Sequence, residues 1–76
     1  MLAAALEHIV KGIVDSPDEV RIDETASSRG DVLEVHVAAE DRGRVIGRGG
    51  RTAKALRTVT AALADGRRVR VDVADD

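Results

Sequence analysis

The sequence has no cysteine and no aromatic residue, and proline occurs only once, at position 17. The absence of cysteine excludes disulfides and thiolate metal sites and is typical of a reducing compartment, so we expect a cytoplasmic protein. Without Phe, Tyr or Trp, the 43% of apolar residues can build only a small aliphatic core. A chain of 76 residues makes one domain at most, with a stability of only about 3 to 5 kcal/mol.

Long hydrophobic runs are also missing from the sequence. The N-terminal segment is apolar, but Glu7, His8 and Lys11 interrupt it and no basic residues precede it. We therefore expect neither a signal peptide nor a membrane-spanning helix, and no membrane partner.

The net charge of −2 conceals an uneven distribution of charge along the chain. Residues 1–41 carry ten acidic and three basic side chains, whereas residues 42–70 carry nine basic and one acidic side chain. The second segment is therefore a candidate for binding an anion. An unevenly charged but merely solvated surface would give the same count, so the pattern needs a second signal.

Hydrophobic spacing predicts a first helix over residues 2–14 and then two strands. The helix is predicted because apolar residues recur at intervals of three and four. They are Leu2, Leu6, Ile9, Val10 and Ile13. Pro17 breaks the helix, and the alternation that follows predicts strands around residues 20–23 and 33–37. The segment TASSRGD between the strands predicts a hairpin loop several residues longer than a tight turn.

The second half of the chain predicts two helices and a third strand. The segment AAEDRGRVIG predicts a short helix in which Glu40 or Asp41 accepts hydrogen bonds from the free N–H groups at the helix start. A longer helix is predicted over residues 51–64, with Gly66 at its C-terminal cap. Its predicted buried face comprises Ala53, Leu56, Val59, Thr60 and Leu63. The alternating segment RRVRVDV predicts the last strand.

The predicted order αββααβ describes an α+β fold made by one domain of residues 1–76. The two consecutive helices form a crossover that is long enough to bring the third strand back parallel to a neighbour. We therefore expect a three-stranded mixed sheet with the helices packed on one face.

Gly47-Arg48-Gly49-Gly50 is the second signal, because this glycine-rich segment joins the two predicted helices within the basic half. A helix N-terminus exposes unpaired N–H groups that favour a phosphate, and glycine has no Cβ to obstruct a close approach. The backbone amides between Gly47 and Arg51 are therefore predicted to hold a phosphate.

Spacing separates three kinds of phosphate site. A P-loop requires a glycine where the chain has Val45 and a lysine where it has Arg51. A dinucleotide fingerprint requires a third glycine where Thr52 stands, and a preceding strand instead of a helix. What remains is a GxxG loop between two helices, which clamps the backbone of about four nucleotides in KH domains.

The segment Val45-Ile46-Gly47-Arg48-Gly49-Gly50 resembles the VIGxxG core of the KH family, and the αββααβ order matches the type II, bacterial form of that family. The segments IVDSPDEV and DRGRVIGRGGRTAKALRTV, together with the length, resemble the small single-domain KH proteins of the KhpA (YlqC-like) family. The resemblance covers the whole chain. One departure is Ala53, which stands where the KH signature has isoleucine, so we expect a shallower groove floor.

The resemblance implies single-stranded RNA as the partner, held by a GxxG loop at residues 47–50. It implies a role as RNA chaperone or post-transcriptional regulator, with a link to cell shape. It also implies a homodimer or a heterodimer with a larger KhpB/Jag-like KH protein. The residues expected to contact RNA are Arg44, Ile46, Gly47, Arg48, Gly49, Gly50, Arg51, Lys54 and Arg57. Ile46 is also expected to be partly buried. An ordinary exposed helix face would also explain the spacing of Arg51, Lys54 and Arg57.

The sequence shows no catalytic constellation, so we expect no enzymatic activity, cofactor, metal or small-molecule substrate. His8 and His36 have no partner at ligand spacing and are predicted to lie at the surface or its boundary. Arg67, Arg68 and Arg70 form a second basic cluster, which either contacts RNA or balances the helix C-terminus. Two other functions stay open, namely an interaction module that stabilises a larger KH partner and a ribosome-associated assembly factor.

Overall fold

A computed structural model describes residues 1–75 and contains three α-helices and three strands. In chain order they are α1 (Leu2–Lys11), β1 (Arg21–Ser27), β2 (Gly30–His36), α2 (Arg42–Ile46), α3 (Arg51–Leu63) and β3 (Val69–Val73). Short 3₁₀ turns follow α1 and flank α2, at Pro17–Glu19, Ala39–Asp41 and Arg48–Gly50. The predicted αββααβ order is confirmed.

The three strands form one mixed sheet in the order β1-β2-β3. β1 and β2 are antiparallel, with Ile22 opposite Val35, whereas β2 and β3 are parallel, with Leu33 opposite Val71. β2 is therefore the central strand, and β3 reaches it through the crossover that contains α2 and α3. This arrangement confirms the predicted mixed sheet.

The core lies between one face of the sheet and the helices. Leu33 and Val35 of β2 are fully buried, and the strand residues between them and after them point to the opposite face, where Glu34 is exposed. α1 contributes Leu6 and Val10 to the same core. The other members of the buried cluster are Val14, Val20, Val37, Val45, Leu56 and Val71. All are aliphatic, as the composition requires, and the helices occupy one face of the sheet, as predicted.

The hairpin between β1 and β2 is tighter than predicted. Ser27 pairs with Gly30, so only Ser28 and Arg29 form the turn. The Ser27 hydroxyl donates a hydrogen bond of 2.7 Å to the Gly30 carbonyl and accepts one of 3.2 Å from the Arg29 N–H. The predicted long loop was wrong because β1 continues through polar residues whose side chains give no alternating signal.

Two helix boundaries also differ from the prediction. α1 ends at Lys11 rather than at residue 14, because the N–H groups of Gly12 and Ile13 donate to carbonyls three residues back and tighten the last turn. α3 ends at Leu63 with Ala64 as its cap, so Gly66, the predicted cap, lies two residues beyond the observed one and has a φ of 87° in the turn that follows.

The buried face of α3 is narrower than the predicted one. Ala53, Leu56 and Thr60 are buried, but Val59 is 43% and Leu63 is 55% exposed. A three-stranded sheet covers only a narrow strip of a helix, and positions 59 and 63 lie beside that strip. Within the described residues, no helix is both long enough and apolar enough to cross a membrane.

Candidate nucleic-acid interface

The loop between α2 and α3 has a backbone conformation that depends on glycine. Gly47 ends α2 with φ of 78° and ψ of 168°, and Gly49 and Gly50 have φ values of 64° and 78°. Residues with side chains rarely adopt positive φ, so the glycines allow the chain to reverse within four residues. The loop brings the C-terminal end of α2 next to the first turn of α3.

Gly47 differs from the other two glycines because it packs against α3. A Cβ atom added to Gly47 would lie 2.8 Å from both the Cβ and the backbone nitrogen of Thr52, and closer still to its hydroxyl. Gly49 and Gly50 would meet no atom within 4 Å. Gly47 therefore fixes the loop against the helix, whereas Gly49 and Gly50 leave the outer side of the loop open.

The predicted row of free amides from Gly47 to Arg51 is only partly present. The Gly47 N–H donates to Gly43 O at 2.8 Å, the Gly50 N–H donates to Gly47 O at 3.1 Å, and the Arg51 N–H donates to Arg48 O. These bonds form because the loop itself contains a 3₁₀ turn. Within residues 1–75, the N–H groups of Arg48 and Gly49 have no hydrogen-bond partner and are the two that can bind a ligand.

Three exposed cationic side chains surround the open side of the loop. Arg48 lies in the loop, Arg51 begins α3, and Lys54 follows one turn later. Among the residues that the structure describes, none of the three has an ion pair or a side-chain hydrogen bond. Their charges are therefore available to a ligand, and the helix N-terminus adds its own partial positive charge.

The other two predicted arginines are already engaged. Arg44 Nη1 lies 3.0 Å from Asp15 Oδ1, which draws its guanidinium towards the segment after α1. Arg57 Nε donates a hydrogen bond of 3.0 Å to the Val71 carbonyl. That carbonyl belongs to β3, an edge strand, so Arg57 bridges α3 and the open edge of the sheet.

Ile46 is the apolar residue of the predicted site. It is the last residue of α2 and is 41% exposed, so it is less buried than expected. The preceding residue, Val45, is fully buried in the core. Ile46 therefore presents an aliphatic surface directly beside the glycine loop.

Asp41 supports the site in a way that the sequence did not reveal. Its side chain is only 1% exposed, and its two carboxylate oxygens accept hydrogen bonds from the backbone N–H groups of Asp15 (3.1 Å) and Ser16 (3.0 Å). The prediction that this carboxylate would cap its own helix was wrong, because both of its oxygens instead accept from N–H groups in the chain reversal after α1. Asp41 thus ties the start of α2 to α1.

His36 belongs to a charged cluster on the sheet face that carries no helices. Its Nε2 lies 3.0 Å from both Asp23 Oδ2 and Glu34 Oε1. Arg21 donates hydrogen bonds of 3.1 and 3.2 Å to the two oxygens of Asp23, and these bonds, with smaller contributions from His36, lower the pKa of that carboxyl. The three possible ligand atoms of Asp23, Glu34 and His36 lie within 4.8 Å of one another. Hydrogen bonds of His36 to the two carboxylates account for their arrangement, and the expectation of no metal stays a prediction.

Comparisons with known proteins agree on one family. A family model described as KhpA/KhpB, KH domain, matches residues 3–74. The chain is 72% identical over 76 residues to "RNA-binding protein KhpA" of Leifsonia xyli subsp. xyli, with both chains covered completely. It is 60% identical to the protein of the same name from Streptomyces coelicolor, over 99% of this chain and 94% of that protein.

A more distant relative leads to the same name. The chain is 49% identical to "RNA-binding protein KhpA" of Clostridium acetobutylicum, over 90% of this chain and 93% of the relative. No solved structure matches the chain. All three relatives are named as RNA-binding proteins and not as enzymes, in agreement with the expectation of no enzymatic activity.

Proposed function

The chain belongs to the KhpA/KhpB family of KH domains, as its resemblance to that family predicted, and from this membership we propose that it binds single-stranded RNA through the loop at residues 47–50. In this proposal residues 1–76 act as one KH domain. The loop grips the sugar-phosphate backbone, and the bases lie along the gap between α3 and β3.

The open glycine loop is the observation that carries the proposal. Two N–H groups without a partner among the described residues, at Arg48 and Gly49, lie just before the start of α3. The unpaired side chains of Arg48, Arg51 and Lys54 add positive charge around them. A phosphate group can bind the free N–H donors and the cationic side chains together, because it carries negative charge and several acceptor oxygens.

Base recognition in this proposal is aliphatic. Ile46 supplies an exposed apolar contact, and Arg57 supplies N–H donors beside the edge strand. Stacking on an aromatic ring adds about 1 to 3 kcal/mol per base in other single-strand binders, and this chain has no aromatic residue. We therefore expect modest affinity and weak sequence preference.

Weak binding by one module favours a second binding surface. We propose that the protein acts in the cytoplasm as a homodimer or with a KhpB/Jag-like partner, since linked modules raise the effective affinity. A module of low sequence preference suits an RNA chaperone or a post-transcriptional regulator. The description of the matching family, KhpA/KhpB, supports such a pairing.

Replacing Arg48 and Gly49 together by aspartate tests the proposed site. Asp tolerates the left-handed conformation of Gly49, whose φ is 64°, and neither side chain is buried, so the fold should be retained. Two negative charges at the loop should repel phosphate. We expect RNA affinity to fall at least tenfold in fluorescence anisotropy, while the melting temperature changes little.

The matched control replaces Lys11 and Gly12 by aspartate. This pair also consists of a basic residue followed by glycine, undergoes the same change in charge, and is exposed at the end of α1. The control should bind RNA with nearly the wild-type affinity. Equal losses in both variants would mean that only the overall charge matters and would refute the loop as the binding site.

A salt titration provides a second test. Three to five phosphate contacts with a single strand correspond to a slope of roughly −2 to −3.5 in a plot of log affinity against log salt concentration. The slope should be measured with a short unstructured RNA by anisotropy. An affinity that does not change with salt would contradict phosphate recognition.

An interaction module is the second candidate, and an exposed apolar strip favours it. Val59 and Leu63 of α3 are 43% and 55% exposed, and Met1 is fully exposed. Exposed apolar clusters mark protein contacts. If the loop variant dissociates a dimer in analytical ultracentrifugation and leaves RNA binding intact, the glycine loop serves protein contact and this candidate replaces RNA binding.

A further inference from the structure

A surface cavity of about 350 Å³ lies at the hairpin end of the sheet, away from the glycine loop. It is open to solvent, and its walls come from the β1–β2 turn, the first residues of β2 and the start of β3. Its volume falls at the lower end of the range for small-ligand sites. The residues that matter for its chemistry are Arg29, Asp31, Val32, Arg68 and Arg70.

The charges around this cavity do not cancel. Asp31, the acidic residue of the wall, forms an ion pair with Arg67. Arg70 pairs with Asp72 at 3.1 Å. Among the described residues, Arg29 and Arg68 have no ion pair and no side-chain hydrogen bond, and both are exposed. The cavity therefore carries two uncompensated guanidinium groups.

The backbone beneath these arginines is held in place. The Asp31 N–H donates a hydrogen bond of 2.9 Å to the Arg68 carbonyl. Gly30, with φ of 124°, lies so close that a Cβ there would come within 2.9 Å of the Arg68 Cβ. The turn and the start of β3 are thus packed together, which keeps Arg29 and Arg68 on the two sides of one cavity.

We propose that this cavity is a second phosphate-binding site, in which the guanidinium groups of Arg29 and Arg68 hold one phosphate group. Arginine donates in a planar fork that matches phosphate oxygens. Val32 gives the wall an apolar part, against which a sugar or a base can pack. Single-stranded RNA is the source of the phosphate that this site best fits, so the inference rests on the proposed function.

The position of the cavity supports a longer RNA path. The glycine loop precedes α3, and the cavity includes residues 68–70, which follow it. α3 has 13 residues, which at 1.5 Å per residue span roughly 20 Å. A strand of about four nucleotides, the length that one KH clamp holds, need not reach both sites. A longer strand is therefore required to occupy the cavity as well as the loop.

Replacing Arg29 and Arg68 by glutamine in the full chain tests the proposal. A strand of about four nucleotides should bind as tightly as to the wild type, since it occupies only the loop. A strand about three times as long should bind roughly tenfold more weakly at 0.1 M salt. Its salt slope should become shallower by about 0.7, the contribution of the one phosphate contact that is lost.

The control replaces Lys11 and Arg21 by glutamine, which removes the same charge from exposed positions outside the cavity. The long strand should bind this control as it binds the wild type. Equal weakening by both variants, or no weakening by the cavity variant, would overturn RNA as the source of the phosphate.

A titration with a nucleoside monophosphate distinguishes RNA from free nucleotides as the source of the phosphate. The result does not depend on the loop. Changes in the NMR signals of the neighbouring cavity residues Gly30 and Val69 that are absent in the cavity variant support the phosphate site. If these changes occur and the affinity for long RNA is unaffected, the site takes free nucleotides. If the substitutions change neither the NMR response to the nucleoside monophosphate nor the affinity for long RNA, no phosphate binds in the cavity. The Arg48 and Gly49 variant, measured on the short strand, reports separately on the loop.

Discussion

Gly47→Ala is expected to lower the free energy of unfolding by about 2 to 4 kcal/mol. At φ of 78° and ψ of 168°, Gly47 lies in a region that is nearly restricted to glycine, where a side chain costs about 1 to 3 kcal/mol. The added methyl group would also lie 2.8 Å from the Thr52 backbone nitrogen, so the loop or the first turn of α3 must move. Urea denaturation followed by circular dichroism measures the loss.

The same substitution at Gly43 is the matched control. Gly43 lies within α2, and an added Cβ would meet no atom within 4 Å. Gly43→Ala should stabilise the protein by about 0.5 to 1 kcal/mol, because alanine favours a helix over glycine. If Gly47→Ala were as stable as Gly43→Ala, the close packing of the loop on α3 would be disproved. RNA binding by Gly47→Ala should also weaken, since the loop changes shape.

Asp41→Ala is expected to cost about 2 to 4 kcal/mol. The substitution leaves the N–H groups of Asp15 and Ser16 without their acceptor, and each unsatisfied donor in a partly buried position costs about 1 to 3 kcal/mol. In a domain of this size each kcal/mol corresponds to a fall of about 4 to 8 °C in melting temperature. Differential scanning calorimetry should therefore show a clear decrease, and part of the population should be unfolded at 37 °C.

Glu40→Ala is the control for Asp41, because Glu40 is the neighbouring carboxylate and is exposed. Its loss should change the stability by less than about 0.5 kcal/mol. The loss of stability in Asp41→Asn should fall between those of Asp41→Ala and Glu40→Ala, since asparagine keeps one acceptor oxygen and the shape of the side chain. Equal melting temperatures for Asp41→Ala and Glu40→Ala would show that the two hydrogen bonds do not hold α1 and α2 together.

The predictions of secondary structure were confirmed where the local hydrophobic pattern determines the element. The alternation of Val69, Val71 and Val73 predicted β3, and the spacing of Leu6 and Val10 predicted α1. The prediction of a long hairpin loop was wrong because Thr25, Ala26 and Ser27 have no alternating pattern, and they join the sheet only through pairing with β2. Val59 and Leu63 were assigned to the core because helical spacing identifies an apolar face but not how much of it a neighbour covers.

The candidate site divides in the same way. The glycines and basic residues of the loop, and their resemblance to a KH clamp, can be read directly from the sequence. The hydrogen bonds that occupy three of the loop amides are not visible, because they depend on the 3₁₀ turn at Arg48–Gly50. The engagement of Arg44 by Asp15 joins residues 29 positions apart, and no local pattern predicts it.

By itself the sequence determined the order of the elements, the aliphatic composition of the core and the concentration of positive charge around a glycine loop, because each depends on residues close together in the chain. Only the tertiary structure decided which amides of that loop stay free, which arginines are neutralised, and that Asp41 holds α1 and α2 together. These features depend on distances between segments that are far apart in the sequence, and such distances exist only after the sheet and helices have packed.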